Sequence, residues 1–187
     1  MPRHLVKAAL MMLMVAGCAP SGCTPSGADV TLTATTSQPV YQADQAVEIV
    51  LTLKNKSSSD IVLSPDWIGN VRVLEFSQNG ALVPLRAPYT LFDVALGTRL
   101  ESSLAPLPAG QSLTIRVASY EDVAFGGQTL RTVIFDTREV HPARDFFLLG
   151  PGDFRLKLAY HYLGPDGGQS VFRDELRSNE VSFRIEP

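Results

Sequence analysis

Val47-Glu48-Ile49-Val50-Leu51-Thr52-Leu53-Lys54 is the stretch on which the fold turns. Val47, Ile49, Leu51 and Leu53 fall on one face at a spacing of two, while Glu48, Thr52 and Lys54 share the other with Val50, the pattern of a half-buried antiparallel strand. Outward from it, the same period returns in Phe154, Leu156, Leu158, Tyr160 and Tyr162, with Arg155, Lys157 and His161 opposed, and again in Val181, Phe183 and Ile185. Weaker alternation predicts strands over 30–35, 60–64, 71–76, 81–86, 112–119, 129–135 and 145–149. Asn79-Gly80 between two apolar runs is a strong hairpin signal. Pro165-Asp166-Gly167-Gly168 predicts a second hairpin, joining a strand that ends near Leu163 to one around 170–173. No stretch sustains an apolar repeat at helical spacing. About ten short strands with frequent turns predict one all-β domain over residues 29–187, a single antiparallel β-sandwich.

Several segments carry a family resemblance. The run from Pro39-Val40-Tyr41 through Leu53-Lys54-Asn55-Lys56-Ser57 resembles the opening of bacterial immunoglobulin-like domains, where a strand ends in Leu-x-Asn-x-Ser. Leu107-Pro108-Ala109-Gly110-Gln111-Ser112, Gly150-Pro151-Gly152-Asp153-Phe154-Arg155-Leu156 and Ser178-Asn179-Glu180-Val181-Ser182-Phe183 are similar to later turns of the same domains. The resemblance implies an immunoglobulin-like sandwich and no particular activity, because each motif is a structural turn. The family's usual glycine in the 107–112 turn stands one place late, as Gly110 after Ala109.

The first seventeen residues have the parts of an export signal. Arg3, His4 and Lys7 make a positive start without an acid, and residues 8–15 form an apolar core much shorter than the roughly 20 residues that cross a bilayer as a helix. Val15-Ala16-Gly17-Cys18 follows, and it resembles the lipobox of bacterial lipoproteins. That resemblance implies diacylglycerol on Cys18, cleavage before it, and usually a third acyl chain on the new amino terminus. The competing reading is an ordinary cleaved signal with Cys18 as half of a disulfide. Cys23 follows Pro20-Ser21-Gly22, where proline replaces the aliphatic residue, so Cys18 is the better acceptor; once it is acylated, Cys23 has no partner within the chain. Residues 18–28, rich in Pro, Ser, Gly and Thr, read as a flexible tether between lipid and domain. Ala19 stands where an aspartate, in lipoproteins of the enterobacterial kind, retains the protein in the inner membrane, so the resemblance favours the outer membrane, on its periplasmic side.

Removing residues 1–17 takes away Arg3 and Lys7 but no acid, leaving 14 basic against 19 acidic residues and a formal charge of −5. No Lys/Arg cluster appears, which argues against nucleic acid as a partner. All four methionines lie in the removed segment, which excludes a methionine-built copper site. No His-x-x-x-His, Cys-x-x-Cys or EF-hand spacing occurs, and Gly126-Gly127 opens no helix, so neither metal nor cofactor is expected. No Gly-x-Ser-x-Gly is present, and a triad would need His141 or His161. His161 is expected to face solvent from a strand, and His141 to lie in the charged loop 136–145.

The more suggestive region is 64–106, where alternation weakens and Trp67, Ile68, Tyr89, Leu91 and Phe92 collect among prolines. Trp67, Tyr89 and Phe92, with His141, are the candidate interaction surface, since aromatic loop residues at a sandwich end often make recognition surfaces; the alternative is that Trp67 plugs the core. The expectation is a non-enzymatic module, held on the bilayer through Cys18, that binds another envelope protein or supports an assembly. Two alternatives remain beside it. One is a protease inhibitor presenting the loops 87–106 or 136–145, and the other is an enzyme whose site is assembled from distant strands.

Overall fold

A computed structural model describes residues 29–83, 95–122, 127–134 and 143–187. In chain order these form strands β1 (Val30–Thr36), β2 (Val40–Gln42), β3 (Glu48–Asn55), β4 (Ile61–Leu63), β5 (Val71–Gln78) and β6 (Ala81–Leu82), then a helix α1 (Leu96–Ser102). They continue with β7 (Ala105–Leu107), β8 (Ser112–Ala118), β9 (Tyr120–Asp122), β10 (Gly127–Ile134), β11 (Ala143–Leu149), β12 (Gly152–Tyr160), β13 (Leu176–Arg177) and β14 (Val181–Glu186). The protein is an all-β sandwich. One sheet runs β1-β3-β8, and the larger runs β2-β14-β12-β5-β6 with β13 beside β12. Smaller sheets are β11-β10-β9 and β4-β7. The ladders are antiparallel except for β14 with β2, which is parallel.

The period-two stretches fold as expected. Val47, Ile49, Leu51 and Leu53 are fully buried, and Phe154, Leu156, Leu158 and Tyr160 face them from β12 as part of one core. Val181, Phe183 and Ile185 join from β14. A row of rings crosses the large sheet: Phe154 stacks on Phe183 at 5.0 Å and on Phe76 at 5.6 Å. Edge contacts extend it to Tyr41 at one end and Phe147 at the other.

Strand β5 departs from alternation, and the register explains why. Lys157 faces Glu75 while Leu158 faces Val73, so Leu74 is an extra residue on β5. This bulge shifts the phase by one. Val71 and Phe76, five apart, can therefore both be buried on the core side. The Asn79-Gly80 hairpin forms as read, with Ser77 opposite Leu82 and φ of 51° and 80° at the two turn residues, a type I′ arrangement. In the 108–111 turn Gln111 N–H donates to Pro108 O at 3.0 Å, and Gly110 alone has positive φ, which makes it type II.

Three expectations need correction. The chain does turn at 166–169, where Gln169 N–H donates to Asp166 O at 2.9 Å, but no hairpin follows. The segment beyond bonds elsewhere: Phe172 N–H donates to Val62 O, and β12 pairs instead with β13. Helix α1 was not expected, because its seven residues place only Leu96 and Leu100 in the core, too few to make a repeat. The short strands β2, β7, β9 and β13 were also not predicted, each being two or three residues long.

Truncating the centre of the ring row, Phe154→Ala, is expected to lower stability by about 3–5 kcal/mol, since the stacked neighbours cannot close the space. Urea unfolding should show a lower midpoint at an unchanged slope.

Candidate interaction surface

Residues 64–70 leave β4, cross one end of the sandwich and enter β5. The loop is Ser64-Pro65-Asp66-Trp67-Ile68-Gly69-Asn70, rich in residues that fold back on their own backbone. Ser64 Oγ accepts the Asp66 N–H at 3.2 Å and an Asn70 Nδ2 proton at 3.0 Å. Asn70 Nδ2 also donates to Asp66 O at 2.7 Å, and Asp66 Oδ1 accepts the Ile68 N–H. Gly69 has a φ of +91°, and a Cβ there would stand 2.9 Å from Leu100 Cδ1, so the helix can press on the loop only where a glycine stands.

Other elements lock this loop from both sides. From α1, Arg99 grips the Asp66 carboxylate through Nε at 2.6 Å and an NH2 group at 3.1 Å, and Ser103 Oγ lies 2.6 Å from Ser64 Oγ. From β12, the Tyr160 hydroxyl donates to Ser64 O at 2.8 Å and accepts the Ser64 N–H at 3.2 Å. Burial pushes the Tyr160 hydroxyl far above the ordinary tyrosine value, and the Ser64 hydrogen bond only partly offsets it. Further round the same end, the Tyr162 hydroxyl donates to Pro165 O and Arg173 lies over the Tyr162 ring. The Asp166 carboxyl is held below its usual range, first by the Gly168 N–H and then by Arg173.

Of the four residues of the candidate interaction surface, Trp67 is the one this structure describes. It is half-buried against the core with part of its surface open, and its carbonyl accepts the N–H groups of Asn70 and Val71. Cys18, Tyr89, Phe92 and His141 lie outside the described residues, as does 135–142. Of the loop 87–106, the part from 95 onward holds α1 and β7, with Leu96 and Leu100 buried. His161 is half-buried just past β12, its N–H donating to Asn70 O. Among the described residues, neither Ser64 nor Ser103 bonds to a histidine or carboxylate, and no three His, Cys, Asp or Glu side chains gather as metal ligands.

A second surface lies away from this end. A groove of about 890 Å³ crosses the outer face of the large sheet, from Pro39 beside β14 to Leu82 on β6. Its floor is a register row, Ser182 opposite Arg155 opposite Ser77, and Leu82 on its wall is 79% exposed. Asp153 and Arg184 face each other across β12 and β14 with Nε to Oδ1 at 2.6 Å. Among the described residues Arg155 is the loosest of the paired arginines, 4.0 Å from Glu180.

Neither a protein-family model nor a curated protein matches this chain.

Tyr160→Phe is expected to cost about 1–3 kcal/mol, because it removes one partner from a buried pair of Ser64 backbone groups. It should also change the alkaline response. A phenol whose value is raised on folding keeps its proton where the unfolded chain loses it, so stability is intact below about pH 10 and falls above it. Thermal melts of both forms from neutral to about pH 11 should show a shallower alkaline decline in the variant.

Proposed function

We propose that this chain is a lipid-anchored envelope protein, carried by an acylated Cys18, whose immunoglobulin-like sandwich is a non-enzymatic module that binds another envelope protein or supports an assembly. The observation that carries the reading is the placement of Val15-Ala16-Gly17-Cys18: it closes a charged and then apolar leader and stands twelve residues before the first strand. Two or three acyl chains, at ~0.8 kcal/mol per buried methylene, hold a protein on a bilayer far longer than one chain could. Ala19 after the anchor favours the outer membrane.

The sandwich supports a binding role by its construction. Ser64, Asp66, Arg99, Ser103 and Tyr160 at the α1 end are engaged with one another, which stiffens that end of the body. The groove over β14, β12 and β5 offers an extended partner segment a polar floor and an apolar wall at Leu82. A mildly acidic mature chain makes a protein a better partner than nucleic acid.

Cys18→Ser separates this reading from its rivals. In the producing bacterium, the native chain should incorporate an alkyne-tagged fatty acid and fractionate with membranes, whereas the variant should lose the label and stay unprocessed or soluble. A native chain that is processed, unlabelled and free of the membrane sinks the proposal.

A further inference from the structure

We propose that Asn79-Gly80 is a latent modification site. The docked β5–β6 hairpin keeps this pair unreactive; once its tip lifts off the 150–153 turn, Asn79 converts to isoaspartate and aspartate and one wall of the groove is remade. Nothing in this chemistry depends on the anchor at Cys18.

The chain has four asparagines, and Asn79 is the one followed by glycine. Glycine matters because the attacking group is the next residue's backbone nitrogen, and a side chain there would stand in its way. The Gly80 nitrogen gives up its proton and bonds to Asn79 Cγ, and Nδ2 leaves as ammonia, closing a succinimide ring. Water then opens either carbonyl of the ring, one giving aspartate and the other isoaspartate. In sum an amide and water become a carboxylate and ammonium, with no oxidant or cofactor.

Two features of the fold hold this reaction off. The first is the turn itself, in which Asn79 and Gly80 both have positive φ, 51° and 80°, as type I′ requires. In that conformation the Gly80 nitrogen lies opposite Asn79 Cβ across the Cα–C bond, whereas the ring needs the two on the same side. Closure therefore requires ψ of Asn79 to swing away and the turn to come undone. The second is docking. Asn79 N–H donates to Asp153 O at 2.7 Å, and Asn79 Oδ1 accepts the Asp153 N–H at 2.9 Å. A Cβ on Gly152 would stand 2.9 Å from both Oδ1 and Nδ2 of Asn79, so the amide lies close over a bare Cα. Beside it, Gln78 Nε2 donates to Pro151 O at 2.9 Å. The turn that opens β12 thus holds Asn79 by its backbone and its side chain together.

Conversion here changes a surface. Asn79, Gly80, Leu82 and Asp153 all line the groove. Strand β6 is two residues long, and past it Val83 N–H donates to Phe76 O at 3.0 Å. An isoaspartate carries the chain through its side-chain carbon and adds a methylene to a loop whose type is set by its length. Such a loop cannot close in the same register, so Leu82 leaves its place opposite Ser77. Aspartate keeps the turn and adds a negative charge beside Asp153.

The test follows residue 79 in the protein as purified from its producing cell, held in mildly alkaline buffer either folded or unfolded in guanidinium chloride, with the products counted by peptide mapping. The unfolded chain should convert at Asn79 well ahead of Asn55, Asn70 and Asn179. The folded protein should convert at least about tenfold more slowly, because only the opened hairpin reacts. Gln78→Ala removes one bond from the docking and leaves the turn residues in place; it should speed conversion of the folded protein a few-fold. Gly152→Ala presses on the amide itself and should speed it further, and Gln78→Ala carries the test alone if that variant does not fold. Hydrogen exchange on the separated isoaspartate form should find the Val83 amide unprotected while β12 and β14 stay protected. Equal rates in folded and unfolded protein, or an Asn79 that stays intact when unfolded, overturn the proposal. So do a folded-state rate that Gln78→Ala leaves unchanged and an isoaspartate form whose Val83 amide exchanges as slowly as before.

Discussion

The ring of Phe154 stacks between Phe183 and Phe76, and the order of the large sheet depends on that contact. The row it centres draws on β2, β14, β12, β5 and β11, segments far apart in the chain. Stacked and edge-on rings add about 0.5–1.5 kcal/mol per pair beyond the area they bury. Their geometry also sets register, since a slip of one residue would turn Phe154 and Phe183 out of the core. The bulge at Leu74 belongs to the same constraint. Without the extra residue, Phe76 could join the row only by turning Val71 outward, and Val71 is the point at which the loop 64–70 meets the sheet.

Side-chain amides and hydroxyls finish what the strands leave open. Asn179 Oδ1 accepts the Ala34 N–H at 2.8 Å and its Nδ2 donates to Ala34 O at 3.0 Å, so one side chain does for β1 what a neighbouring strand would do. Ser178 brackets Leu158 in the same way, accepting its N–H at Oγ and donating its own N–H to the Leu158 carbonyl. Asn55 is buried and fully used: Nδ2 donates to Ser59 O and Leu107 O, and Oδ1 accepts from the Ser57 N–H and hydroxyl. The Asn-x-Ser and Ser-Asn patterns legible in the sequence therefore have a local physical cause, because a buried backbone group must find a partner where the ladder stops.

How much could be read beforehand follows from where the information resides. Strands β3, β12 and β14 were plain, since three to five inward side chains repeat at a fixed period, and Asn79-Gly80 was plain because few residues accept positive φ in succession. The 166–169 turn was visible as a reversal, but a turn specifies backbone angles and not what the departing chain will pair with. Helix α1 was hidden because two leucines four apart make no pattern. The cluster at the α1 end was hidden for another reason. Ser64, Asn70, Arg99, Ser103 and Tyr160 are spread along the chain, and only tertiary structure makes them neighbours. Trp67 was visible by its rarity, and it stands half-buried against the core.

The two surfaces differ in how much change they can absorb. At the α1 end the bonds made by Ser64 and Tyr160 are buried and shared, so removing one partner strands another: Ser64 alone answers to Tyr160, Ser103, Asn70 and the Asp66 amide. On the outer face of the large sheet, the Asp153–Arg184 and Glu75–Lys157 pairs stand directly across the ladder in solvent, where such pairs contribute about 0–1 kcal/mol. Charge there can be rearranged at little expense to the fold. A module of this kind keeps a stiff end and a tolerant face, and the tolerant face, with its serine-floored groove and exposed Leu82, is where recognition of a partner can be tuned without loosening the aromatic row beneath it.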